Sequence, residues 1–109
     1  MARIMDENEA KILSGETESG ATDVSYLAIY GLIVPAIDNS TLTFKVSSST
    51  GNYVVLKDKT GAAISFTVGT GGIALSSDGL SPLAAYREIK IVLSVNQTAD
   101  RTFIWVLKE

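Results

Sequence analysis

The chain has no histidine and no cysteine among its 109 residues. The commonest general base, the commonest metal-binding nitrogen and the thiolate nucleophile are therefore all missing. What could do chemistry is a set of carboxylates. From residue 24 onward these are Asp38, Asp58, Asp78, Glu88, Asp100 and Glu109. Two at the right separation would make a glycosidase-type acid and base. Asp38, Asp58, Asp78 and Asp100, however, stand beside turn-forming residues, where an aspartate bonds the local backbone. Gly69-Thr70-Gly71-Gly72 looks like a phosphate-cradling loop, but such a loop needs a helix after it, and Ile73-Ala74-Leu75 reads as a strand. Asp38-Asn39-Ser40 holds too few oxygens for calcium. Asn39-Ser40-Thr41 and Asn96-Gln97-Thr98 match the glycosylation sequon and are read as turns. Tyr26, Tyr30, Tyr53, Tyr86 and Trp105 could stack on sugar rings. Of these, Tyr53 and Tyr86 lie near strand ends, whereas Trp105 sits mid-strand, a core or interface position. No catalytic residue, metal ligand or cofactor is assigned, and the chain is expected to be non-enzymatic.

The elements that carry these residues are strands. Thr41 to Ser47 alternates strictly, with Leu42, Phe44 and Val46 on one face, the period-two pattern of a half-buried strand. Tyr53 to Lys57 follows, then Asp58-Lys59-Thr60-Gly61, a hairpin connection in which Gly61 supplies a positive φ. Ala63 to Val68 turns Ile64, Phe66 and Val68 inward. Arg87 to Val95 places Ile89, Ile91, Leu93 and Val95 together, and Arg101 to Leu107 closes the chain. Ser76 to Pro82 is the least regular internal stretch. With a possible first strand at Lys11–Gly15, about eight antiparallel strands are expected, forming one all-β, jelly-roll-like sandwich. Phe44, Phe66, Ile91 and Leu93 should be its core.

Two strands, 28–34 and 103–107, are apolar on both faces. A lone sandwich has one interior, so their second faces need a cover, either local segments or another chain. Ile29, Tyr30, Ile33, Phe103, Trp105 and Leu107 are the expected subunit interface.

Charge divides the chain. Residues 1–23 hold six acids against two bases, whereas 24–109 are near neutral, and the total is −3. A near-neutral body lacks the basic stripe that nucleic-acid binding needs. No run approaches a membrane span, and the first residues lack a secretion-signal layout. The expected organisation is an acidic arm over 1–23 and a sandwich over 24–109. Ile4, Met5, Asp6, Glu7, Glu9, Ile12 and Leu13 would be the contact residues of a mobile arm that orders on a partner.

One pair of blocks goes further. Gly31-Leu32-Ile33-Val34-Pro35-Ala36-Ile37-Asp38 with Leu42-Thr43-Phe44-Lys45-Val46-Ser47, and Val95-Asn96-Gln97-Thr98-Ala99-Asp100-Arg101-Thr102, resemble segments of small β-sandwich virion proteins of tailed phages and prophages. Family members usually carry an insert before the second block, where this chain runs Ile91 to Val95 straight through. The resemblance implies a capsid decoration (cement) protein on the outer capsid surface, made in the host bacterial cytoplasm. Its partners would be the major capsid protein and copies of itself, as a homotrimer, with no nucleic acid, membrane or cofactor. The alternatives from the residues are a carbohydrate-binding or host-attachment module and a neck, tail or fibre component.

Overall fold

Alternation of apolar and polar residues decides which strands face each other. The computed structural model describes residues 5–24, 28–47, 52–76, 80, 83 and 86–108. Among them run nine strands: β1 (Met5–Ile12), β2 (Thr22–Asp23), β3 (Ala28–Val34), β4 (Ser40–Ser47), β5 (Val54–Val55), β6 (Phe66–Val68), β7 (Ile73–Ser76), β8 (Glu88–Leu93) and β9 (Arg101–Lys108). All pairs are antiparallel. They build two sheets, ordered β1-β9-β3-β7 and β2-β8-β4-β5, with β6 also on β4. The chain is an all-β sandwich.

The interior follows from register. Leu42, Phe44 and Val46 of β4 sit opposite Leu93, Ile91 and Ile89 of β8, and all six are buried. From the other sheet, β9 turns Phe103, Trp105 and Leu107 inward beside Leu32 of β3. The two layers meet where the Phe44 and Trp105 rings lie 6.0 Å apart. Phe66 meets the Phe44 ring edge-on at 6.2 Å, and aromatic pairs favour such a geometry.

Glycine is needed at two turns. Gly61 has φ 89°, the left-handed backbone expected of it. Gly72, with φ 64°, also lies so close to Val34 that a side-chain carbon would come within 2.8 Å of the Val34 carbonyl oxygen.

Several expectations are corrected. The first strand is Met5–Ile12, not Lys11–Gly15, and it pairs with β9 along its whole length. Residues 5–12 are therefore part of a sheet rather than a mobile arm, because Ala10 and Ile12 alternate onto the core face and are buried there. Phe66 is only half-buried, since β6 is a three-residue edge strand with little sheet beside it. Val95 is 43% exposed, because β8 ends at Leu93 and the chain then turns. The Tyr53–Lys57 strand shrinks to Val54–Val55, with an isolated bridge between Lys57 and Ala63. Leu80 and Leu83, in and just after the irregular stretch, are fully buried and plug the core.

Truncation of Phe44 should be far costlier than truncation of Phe66. Phe44→Ala is expected to lose about 3–5 kcal/mol in denaturant unfolding, and Phe66→Ala about 1–2 kcal/mol. Equal losses would show that β6 packs more deeply than its exposure indicates.

Candidate functional site

The densest polar constellation stands at one end of the sandwich. Three connections cross between the sheets there: 13–21 after β1, 35–39 after β3, and 94–100 after β8. Gln97, 2% exposed, is at the centre. Its Oε1 accepts from the Asp38 backbone N–H at 3.0 Å and from Arg101 Nε at 3.2 Å, and its Nε2 donates to the Val95 carbonyl at 2.9 Å. Its backbone N–H donates to the Glu16 carbonyl, and its own carbonyl accepts from the Gly15 N–H at 2.7 Å.

Asp38 completes the constellation. It accepts from the Thr98 backbone N–H at 2.8 Å, from Thr98 Oγ1 at 3.3 Å and from Arg101 Nη2 at 3.2 Å. The Thr98 hydrogen bonds, with Arg101 beside them, hold its carboxyl below the ordinary value of 3.8. Asp100 accepts from the Ser14 N–H. Asp38, Gln97 and Asp100 thus each hold one loop to another. Spacing did not foretell the network, because Asp38 and Thr98 are sixty positions apart.

Asp58 and Glu88 are similarly engaged. Asp58 fits the local-turn reading: its Oδ1 accepts from the Thr60 side chain and backbone and from the Ala62 N–H, and these bonds lower its pKa. Glu88 accepts from the Tyr53 hydroxyl, a bond that raises the tyrosine pKa. Lys90 lies 4.4 Å over the Tyr53 ring and covers one of its faces. Tyr86 packs against the core. Neither tyrosine presents a bare stacking platform. Asp78 and Tyr26 lie outside the described residues. No group of three or more acids that could hold a metal occurs among the described residues.

The outer face of sheet β1-β9-β3-β7 is a different kind of surface. Cross-strand partners share a face, so Glu9, Ile104, Ile33 and Ala74 form one row across all four strands. Glu7, Val106, Gly31 and Ser76 occupy the next. Ile33 is 44% exposed and Tyr30, at the bulge between Ile29 and Gly31, is 50% exposed. Gly31 brings the strands close: an added side-chain carbon would meet the Leu75 carbonyl oxygen at 3.1 Å.

The expected interface set is therefore split. Phe103, Trp105 and Leu107 are fully buried and belong to the core, because alternation in β9 sends them inward. Ile29 is also packed against the core. Tyr30 and Ile33 do lie on the outside, accompanied by Ile104 and Val106, which the expectation omitted. Of the expected arm contacts, Ile4 lies outside the described residues, Met5, Asp6 and Glu7 are residues of β1, and Ile12 is buried. Glu9 and Leu13 are at the surface. Comparison with protein-family models, with curated proteins and with solved structures finds no match.

Asp38 makes the end network sensitive to acid. A carboxylate with a lowered folded-state pKa stabilises the fold at pH above its ordinary value, and that contribution disappears as pH falls through the folded value. Asp38→Asn should therefore melt at a lower temperature than the parent at pH 7. The difference in melting temperature should narrow as pH falls below 3.8. A constant offset down to pH 2 would show that the charge of Asp38 is not what stabilises the loops.

Proposed function

We propose that the chain is a non-enzymatic structural protein of a tailed-phage virion, a decoration protein that docks on the outside of the capsid shell and stabilises it. The observation that carries this reading is the apolar outer face around Ile33, Ile104 and Val106, with Tyr30 beside it. An apolar row on the outside of a sheet favours contact with another protein surface. Two further features support it. Asp38, Asp58, Glu88 and Asp100 are tied into loops and cross-strand contacts, which favours a scaffold over a reaction centre. The two sequence blocks that resemble phage virion proteins account for much of β3, β4 and the turn before β9. Fold class by itself does not select this function, since sandwiches serve many.

The test uses particles that lack the protein. The purified chain should co-sediment with them at copy numbers in the hundreds and raise their disruption temperature. Ile33→Glu and Ile104→Lys should each weaken occupancy about tenfold or more, because each places a charge in the apolar contact. Both positions have an outward face, so the fold should persist. A dozen copies or fewer per particle would indicate a neck, tail or fibre component instead. Binding to glycans with no affinity for particles would indicate a carbohydrate module.

A further inference from the structure

Strand β1 ends its sheet. Strand β9 pairs one side of it from Met5 to Ile12, and no strand occupies the other side among the described residues. Alternate residues of an antiparallel strand turn their N–H and C=O groups away from the paired neighbour. Eight residues without glycine or proline thus present an open row of donors and acceptors. Such an edge associates unless something blocks it. A groove of about 530 Å³ borders the Glu9–Lys11 stretch of this edge, with Leu13 and residues 16–22 on its other side.

The charges on β1 point to the occupant. Glu9 and Lys11 are both exposed, project from the outer face opposite Ile104 and Thr102, and make no ion pair among the described residues. Two copies of β1 related by a two-fold axis would pair antiparallel, and the residue on the axis sets the register. With Ala10 on the axis, Glu9 of each copy faces Lys11 of the other, and no like charges oppose. With Glu9 on the axis, two glutamates meet between two Glu7–Lys11 pairs, and with Ile12 there, Lys11 faces Leu13 and no ion pair forms. With Asn8 there, Glu7 faces Glu9 twice, and with Lys11 there, two lysines meet. An axis between residues would set inward side chains against outward ones. Ala10 is also small and inward-facing, so it does not hinder close approach.

We propose that the chain forms a two-fold dimer by antiparallel pairing of β1 with β1 of a second copy, centred on Ala10 and held in register by two Glu9–Lys11 ion pairs. This pairing uses the sheet edge and not the outer face of β3 and β9. Dimerisation and particle binding can therefore fail independently.

The experiment is sedimentation of the full chain at tens of micromolar in low salt. The expected species has twice the 11.5 kDa chain mass. Lys11→Glu and Glu9→Lys each place like charges opposite one another twice, and each should weaken the dimer about tenfold or more. The double variant restores both pairs with reversed sign and should recover the parent affinity. Raising the salt should weaken the parent and the double variant alike. Melting curves verify that the variants stay folded. A folded monomer, a trimer, or single variants that dimerise as well as the parent would overturn the proposal. So would a double variant as weak as the singles.

Discussion

The amide of Gln97 is the contact on which the arrangement of the two sheets depends. Each of its three side-chain hydrogen bonds, and both of its backbone ones, goes to a loop that crosses between layers or to the residue that starts β9. A buried amide left without partners would cost about 1–3 kcal/mol, so the loops that supply those partners are fixed relative to one another. Asp38 and Arg101 close the network from the side and share the cost of burying polar atoms. Three crossovers laced at one end align β1, β3 and β8 with the strands that follow them. Packing alone would leave that alignment loosely defined, since the hydrophobic effect has no direction.

Against that fixed end the core closes by volume. Trp105, Phe44 and Phe103 are its largest buried side chains, and Trp105 and Phe44 touch across the layers. The indole N–H of Trp105 has no hydrogen-bond partner among the described residues. The ring's contribution to the core is its apolar burial. Leu80 and Leu83, which lie outside the strands, are buried in the same core. The polar atoms at the other buried positions are better served: Ser19 Oγ accepts from the Ile91 N–H where the chain bulges along β8, and Ser40 and Ser94 exchange bonds beside the end of the β4–β8 pair.

What could be read from the residues was whatever rests on local period. Strands β4 and β8 were legible because each has one polar and one apolar face, and burial followed the alternation through Leu42 to Val46 and Ile89 to Leu93. In β3 and β9 both faces are apolar, so period no longer says which side is inside, and the interface expected there mixed Trp105 with Ile33. Strand β1 was hidden by its acids. The only core-facing residues that show are Ala10 and Ile12, and two alternating positions at one end of MDENEAKI are too few to outweigh the charge of the rest. Leu80 and Leu83 were missed for the opposite reason: they are isolated leucines in an irregular stretch, buried by tertiary contacts that no period records. The Asp38 network was illegible in kind, because hydrogen bonds spanning some sixty positions leave no trace in spacing.

The segments Gly31 to Asp38 and Val95 to Thr102 meet at the end network. The first supplies the end of β3 and the carboxylate of Asp38; the second supplies Thr98 and Arg101, which hold that carboxylate, and Gln97, which accepts from the Asp38 backbone N–H. Both therefore set the fold, and they bear on shape before they bear on any surface. Function must instead be argued from what remains once the core and the end network are closed. Two features remain on one sheet: an outer face with a row of apolar side chains, and an edge strand whose charges complement themselves. Glu9 belongs to both, as the end of the row through Ile104 and Ile33 and as a partner on the edge. A second copy paired at β1 would bring the partner's outer face into the same continuous sheet, with Glu9 and Lys11 of each copy between the two apolar rows. The apolar area would then double without any change in the protomer, and a weak contact for one chain would become a stronger one for two.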